Sequence, residues 1–306
     1  MSAIHAPLSR RKVDGVLLLD KPIGLSSNAV LQRAKRLYAA EKAGHTGTLD
    51  PLASGLLPIC FGEATKFAQA LLDARKVYVA IVRFGIATTT GDAEGEVVAE
   101  SPVTFTRADL ERALPQFVGT ILQVPPRHAA LKFKGRNYYE YARAGIDIPR
   151  PPRKVEIDSI EVIEWASPVA TVNVACSKGT YIRVLAEDLG AVLCGRAHLT
   201  GLSRTATGPF TLDRAVTLEA LEAMEVAERD ALLLPIHAPL VQMPTIDVDA
   251  DSARALCQGR VAPTPAGAAG RYACFDPDGA FLGMVDVDAG GMRAVRLVRA
   301  SSVEIR

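Results

Sequence analysis

The sequence has few of the residues that build metal centres or disulfide frameworks. Its five cysteines (Cys60, Cys176, Cys194, Cys257 and Cys274) are scattered, and no two form a CxxC pair. They read as reduced core residues of a cytosolic protein, not as metal ligands or a disulfide scaffold. No His or Cys cluster has zinc spacing. No apolar run approaches the roughly 20 residues needed to span a bilayer, so no membrane partner is expected. The opening MSAIHAPLSRRKVDG lacks the apolar core of a secretory signal, and a cytoplasmic location is expected. A Walker A loop is also missing, since SKGTY has its lysine before the glycine and lacks the upstream glycine. Chemistry carried by this chain is therefore expected to need neither a nucleoside triphosphate nor a metal.

What is present is a globular composition. Hydrophobic residues make up 49 % of the 306 residues and charged residues 23 %. That length exceeds one ordinary core, so a large domain with a smaller one is expected. Net charge is +1, from 35 basic and 34 acidic residues. The charge is unevenly placed. Arg127–Lys154 holds eight basic residues, opposed only by Glu140 and Asp147, which leaves 27 basic and 32 acidic residues elsewhere.

Periodicity sketches the elements. GVLLLDKP (Gly15–Pro22) reads as a buried strand ending in a turn. Ser26 or Ser27 then caps a helix expected to run to about Ala40. A Gly- and Pro-rich loop follows, then a helix over about 64–74. KVYVAIVRFG contains a strand over Val77–Gly85. GDAEGE (Gly91–Glu96) is a turn, and Arg107–Leu114 a short helix. Pro125–Lys154 has prolines at both ends and reads as an insertion standing off the main body. Val169–Cys194 is a strand–turn–helix unit with Arg183 in the first turn of its helix. From about Ile246 the composition shifts to short strands with Gly, Pro and Asp turns.

Within AGHTGTLDPLASGLLP (Ala43–Pro58), Asp50 is the only charge. Asp before Pro often initiates a turn. The other reading is a nucleophile or general base, in a loop whose Gly44, Gly47 and Gly55 admit close approach. His45 fits a packed residue, an acid–base group or a contact to an entering ligand. A guanidinium at a helix N-terminus, as at Arg183, opposes the macrodipole and calls for a local carboxylate. Either Arg183 is solvated, or it pairs with Asp50 in a bidentate contact that keeps the carboxylate ionised. Tyr78 suits a core position or a stacking face. The basic segment interleaves its charges with Phe133, Tyr138, Tyr139 and Tyr141, a pattern suited to RNA phosphates and unstacked bases.

These residues carry a resemblance. GHTGTLDPLASGLLPICFGEATKF (Gly44–Phe67) resembles the signature of the bacterial tRNA pseudouridine-55 synthases of the TruB type. GVLLLDKPIGLSS, with Lys21 and Pro22, resembles that family's opening strand and turn. KVYVAIVRFG matches at Tyr78, and CSKGTYIRVLAEDLG at Arg183. HLTGLSRTATGPF (His198–Phe210) matches the late motif, with Leu202 beside the active site. Five motifs agree in order along nearly the whole chain.

The resemblance implies an α+β fold, with a central mostly antiparallel sheet flanked by helices. It implies a catalytic domain over 1–245 with an inserted thumb at about 124–154, and a PUA-like RNA-binding domain over 246–306. Asp50 matches the catalytic aspartate, supported by Tyr78, Arg183, Leu202 and Lys21. His45 matches the residue that takes the place of a flipped base. The thumb residues Arg127, His128, Lys132, Lys134, Arg136, Arg143, Arg153 and Lys154 would meet the T arm of tRNA. The reaction is an isomerisation, so no cofactor is implied. One departure stands in PPRHAALK, where His128 and Ala129 replace the usual aromatic and serine. Two further readings remain: an RNA-binding tRNA-folding factor, and a guide-dependent synthase subunit. Such subunits usually carry longer basic extensions, so this chain is expected to act as a monomer without guide RNA or protein partner. A glycoside hydrolase would want a second carboxylate about 5–9 Å from Asp50, and no acidic residue of the motifs recommends itself.

Overall fold

The computed structural model describes residues 10–264 and 269–299. Both outer ends of the expected domain spans, and residues 1–9 of the N-terminal stretch, lie outside the described residues. In chain order the first elements are β1 (Gly15–Lys21), α1 (Ser27–Leu37), β2 (Ala43–His45), β3 (Ala53–Phe61), α2 (Ala68–Asp73) and β4 (Lys76–Phe84). Next come β5 (Ile86–Thr88), β6 (Val97–Glu100), α3 (Arg107–Ala113), β7 (Gly119–Gln123), β8 (Lys132–Phe133), β9 (Arg136–Asn137) and α4 (Tyr138–Arg143). Then follow β10 (Arg153–Ala166), β11 (Val169–Cys176), α5 (Ile182–Leu193), β12 (Ala197–Thr207), β13 (Phe210–Thr211), β14 (Val216–Thr217), α6 (Leu218–Ala223) and α7 (Val226–Ala231). The last are β15 (Thr245–Asp247), α8 (Ala250–Cys257), β16 (Gly270–Phe275), β17 (Phe281–Asp288) and β18 (Gly291–Leu297).

The first sheet runs β14-β1-β3-β12-β4-β11-β10-β7, with β2 on β3 and β13 on β12. Its pairs are antiparallel except β1·β14 and β12·β3, so the expected mostly antiparallel α+β architecture is borne out. β1 is apolar almost throughout because both of its faces are covered. Leu17 and Leu19 pack on Val30, Leu31, Ala34 and Tyr38. Val16 and Leu18 pack on Leu71, Phe210 and Ala238. β11 instead alternates in burial along its length. Its Ala170, Val172, Val174 and Cys176 face Leu110, Leu185 and Leu189, while its other face is half-exposed.

Two helix expectations need correction. α1 stops at Leu37, because Ala39 turns to a φ of 47°. The helix expected over 64–74 is a 3-10 turn, Gly62–Lys66, followed by α2. Phe67 breaks it at φ −110°, ψ 1°, with its ring set edge-on to Phe281 of the second sheet at 5.2 Å. Two cysteines also differ from the core reading. Cys60, Cys176 and Cys274 are buried, but Cys194 is half-buried and Cys257 is exposed at a helix end.

The second sheet, β15-β16-β17-β18, begins at Thr245 and packs on α8 around Leu256, Cys274 and Val285. It is fixed to the first body by Phe67, Leu240, Ala273 and Phe281. Polar ties reinforce the joint. Lys66 donates to the Leu297 carbonyl at 2.9 Å, and the Arg299 amide donates to Glu63 at 2.7 Å. Among the described residues, no helix is long and apolar enough to cross a membrane.

Candidate active site

Asp50 sits on the loop between β2 and β3, and that loop is gripped along its length. The Thr46 amide donates to the Pro58 carbonyl at 3.1 Å, and the Gly24 amide to Pro51 at 2.8 Å. The Arg204 guanidinium donates to the carbonyls of Leu56 (2.8 Å) and Gly47 (3.2 Å). Gly55 has a φ of +98°, and a side chain there would collide with the backbone of Arg204. Gly47, at φ +115°, is also required. Gly44 has open space around it and a φ any residue adopts, so it is not a close-approach position.

Arg183 stands in the first turn of α5 and is 6 % exposed. Its Nη2 lies 3.0 Å from Asp50 Oδ2, and its Nη1 lies 3.2 Å from Asp92 Oδ2. The expected bidentate contact is therefore not made. Two carboxylates share the fork, which offsets both the burial of the charge and its place at a helix N-terminus. The same guanidinium donates to the carbonyls of Thr90 (3.2 Å) and His128 (3.3 Å). Asp92 is buried. It accepts from the Thr90 hydroxyl at 2.6 Å and the Glu94 amide at 3.2 Å.

The Asp50 side chain remains 39 % exposed, open to a ligand. Its pKa is nevertheless raised, chiefly by desolvation, with Arg183 acting against the rise and the charge on Asp92 adding to it. Lys21, at the end of β1, is fully buried and donates to the Pro22 carbonyl at 2.8 Å. Burial lowers its ammonium to about 8, and the Asp50 charge partly offsets that. Tyr78 on β4 lies beside Arg204 in register. Burial pushes its phenol up, against the pull of Arg204, so it stands neutral. Leu202 pairs with Ala53 on one side and Ala80 on the other, directly beyond the Asp50 loop. His45 ends β2, and its Nδ1 is buried with no hydrogen-bond partner among the described residues. Desolvation and Arg204 lower its pKa, which leaves it neutral. Arg183, Lys21 and Tyr78 thus lie within electrostatic reach of Asp50, whereas His45 is tied to the group only through Arg204 and Leu202 through its pairing with Ala53.

The chain can be set against known proteins at this point. Residues 35–182 match the family described as TruB family pseudouridylate synthase, N-terminal domain. Residues 183–241 match the tRNA pseudouridylate synthase B C-terminal domain, and 243–299 the tRNA pseudouridine synthase II C-terminal domain. The chain belongs to the TruB family of pseudouridylate synthases. It is 52 % identical over 290 residues to the tRNA pseudouridine synthase B of Thiobacillus denitrificans, covering 95 % of this chain and 97 % of that one. It is 53 % identical over 312 residues to the protein of the same name from Cupriavidus pinatubonensis, covering 95 % and 96 %. Among solved structures, a chain of a Cbf5-Nop10-Gar1 complex matches with a TM-score of 0.70 and 26 % identity, over 95 % of this chain and 84 % of that one. A chain of an H/ACA RNP bound to a substrate RNA containing 2'-deoxyuridine shares the fold, at 22 % identity and a TM-score of 0.70. The protein is accordingly an isomerase of the pseudouridine synthase class.

In this TruB-family chain the basic segment joins β7 to β10 as a small β8–β9 hairpin followed by α4. It does not stand wholly off the body. Ala129 and Tyr138 are buried, and the His128 carbonyl reaches Arg183. Tyr138 is therefore not a free stacking face, whereas Tyr139 carries the Arg143 guanidinium 5.5 Å from its ring centre. Arg127 lies 3.3 Å from Asp147, and Arg136 lies 3.7 Å from Glu140. Lys132, Lys134, Arg143, Arg153 and Lys154 have no carboxylate within 4.0 Å among the described residues.

Reading the sequence missed three residues of the site. Asp92 lies within a segment that reads as a plain turn. Arg204 is the only charge in AHLTGLSRTAT, and that was its signal. Ser26 and Ser27 both read as candidates for the helix cap, and the cap is Ser26, which leaves Ser27 with another role. Among the described residues no group of three or more His, Cys, Asp or Glu could hold a metal ion.

Proposed function

We propose that the chain converts the T-loop uridine of tRNA, position 55, to pseudouridine, with Asp50 as the reacting carboxylate. The observation that carries this reading is the contact of half-exposed Asp50 with buried Arg183 at 3.0 Å. In the reaction the N1–C1′ bond breaks, the uracil turns, and a C5–C1′ bond forms. The proton lost from C5 is balanced by the one gained at N1, so nothing is added and no cofactor is needed. Asp50 attacks C1′ or removes the C2′ proton. Both routes need the ionised form, which the Arg183 charge favours against desolvation.

The target base is stacked inside the folded T loop and has to be extruded. Neutral His45, on the strand leading into the Asp50 loop, fills the vacated place in the stack. Neutral Tyr78 stacks on the flipped uracil, and Leu202 walls the pocket. Buried Lys21 adds positive charge behind Asp50. Lys132, Lys134, Arg143, Arg153 and Lys154, with Arg127, His128 and Arg136, follow the phosphates of the T arm. We read 1–245 as the catalytic domain and 246–306 as an RNA-binding domain. The protein acts as a monomer in the cytoplasm, with no guide RNA or partner protein.

The test uses an unmodified tRNA transcript, purified protein and EDTA, with pseudouridine mapped by carbodiimide labelling and primer extension. Wild type is expected to give one new stop, at the T-loop uridine. Asp50→Asn is expected to give none while binding the transcript as wild type does. Binding without modification by wild type would refute the reading in favour of a tRNA-folding factor or a partner-dependent subunit.

A further inference from the structure

We infer that Ser27 is a positioning residue that sets the aim of Asp50; the inference rests on Asp50 being the reacting carboxylate. Ser27 opens α1 and is 1 % exposed. It does not cap that helix. Ser26 does so, accepting from the Ala29 amide at 3.2 Å. The Ser27 hydroxyl reaches instead to a residue 22 positions away. Its Oγ accepts from the Leu49 amide at 2.7 Å and donates to the Leu49 carbonyl at 2.9 Å.

One oxygen thus holds both polar groups of Leu49 on the same side. That fixes both backbone dihedrals of the residue whose carbonyl carbon is bonded to the Asp50 nitrogen. On the far side, Pro51 restricts Asp50 to extended geometry. The Pro51 carbonyl is in turn held by the Gly24 amide at 2.8 Å. Gly24 lies in the turn between β1 and α1 and Ser27 is the first residue of α1, so one short stretch of chain clamps the loop on both sides of Asp50. Among the described residues, Ser27 is the only side chain bonded to the backbone of Leu49, Asp50 or Pro51. A hydroxyl buried this deeply needs such partners, and here they are spent on the peptide that carries the reacting group. Without it, Leu49 regains rotation and Asp50 leaves its line to Arg183.

The test compares wild type, Ser27→Ala and Ser26→Ala. It measures the single-turnover rate of pseudouridine formation on a tRNA transcript, the Kd for that transcript, Tm and the pH–rate profile. Ser27→Ala is expected to slow the chemical step about 10- to 100-fold, with Kd within about twofold of wild type. Its acidic limb is expected to move to higher pH. The charged groups facing Asp50 are Arg183, Asp92 and Lys21, and a carboxylate displaced from Arg183 loses its main lowering influence. Ser26→Ala is expected to lower Tm and leave rate and limb unchanged. The inference is overturned by a wild-type rate in Ser27→Ala. A loss that only tracks the folded fraction, with the limb unmoved, overturns it as well. If Ser27→Ala does not fold, Ser27→Cys, close in volume but a weak hydrogen-bond donor, is judged by the same criteria. An inactive wild type overturns the reading of Asp50 and this inference together. An active wild type with an unaffected Ser27 variant overturns this inference alone.

Discussion

Replacing Asp92 by Asn tests how the site divides one guanidinium between two carboxylates. Asp92 Oδ1 accepts from Thr90 and Glu94, while Oδ2 faces Arg183 Nη1 at 3.2 Å. An asparagine that keeps the first two bonds turns its amide donors against the guanidinium. One that flips loses the bond from the Glu94 amide and can only donate to the Thr90 hydroxyl. Removing one partner of a buried pair costs about 3–5 kcal/mol. Asp50 still shares the charge, so the low end applies, and Tm is expected to fall by about 6–12 °C. Arg183 loses one of its two carboxylate partners, and a misaimed group near the reacting atoms costs about 100-fold in rate. The pH profile carries the sharper signature. In the proposed reaction activity needs the Asp50 carboxylate, so it should be present above that group's pKa and lost as pH falls through it. In wild type that pKa is raised, and the Asp92 charge contributes to the rise. The acidic limb of wild type is therefore expected above the usual aspartate range, and Asp92→Asn should move it down even as the rate drops. Single-turnover rates across pH, with thermal melts, measure all three effects. A limb that moves up, or a rate within about threefold of wild type, would refute the division of charge described here.

Three further outcomes are expected. Gly55→Ala places a methyl group against the Arg204 backbone at a φ of +98°; a strain cost of about 1–3 kcal/mol or more should appear as a lowered Tm and loss of activity. Lys21 and Lys76 both have ammonium groups lowered to about 8 by burial, so the unfolded chain binds more protons above that pH. Wild-type stability should gain from these two groups as pH rises from about 8 toward the ordinary lysine value of 10.5, and Lys21→Met should reduce that gain in pH-dependent denaturation. Replacing Lys132 and Lys134 together by Ala should weaken tRNA binding and flatten the slope of log Kd against log salt by about 1.4–1.8; an unchanged slope would remove them from the phosphate contacts.

The Asp50 loop was legible because its pattern is local. A single charge in an apolar, Gly-rich stretch has few readings, and the misfit of Arg183 with its helix end asked for a carboxylate nearby. The strands were legible where burial on one or both faces left a clear pattern, as in β1 and β11. Asp92 was hidden because its segment earns its role only through tertiary contact. The amides of Ala93 and Leu199 tie the turn to β12 through the carbonyls of Leu199 and Gly91, and no periodicity encodes that. Ser26 and Ser27 are indistinguishable as cap candidates until the second hydroxyl is seen to point away from the helix. The helix over 64–74 failed for a similar reason, since Phe67 answers to a sheet that lies some 200 residues further along the chain.

Strand β3 joins two of the features described above. The loop bearing Asp50 enters at its first residue, Ala53, and the 3-10 turn carrying Glu63 and Lys66, followed by Phe67, leaves after its last, Phe61. The strand is buried almost from end to end and spans roughly 26–30 Å. It therefore behaves as a caliper, with the carboxylate at one jaw and the grip on the second sheet at the other. The opening of that caliper is set by covalent geometry and cannot be reset by a hinge. A ligand that touches both jaws would have to match that fixed span.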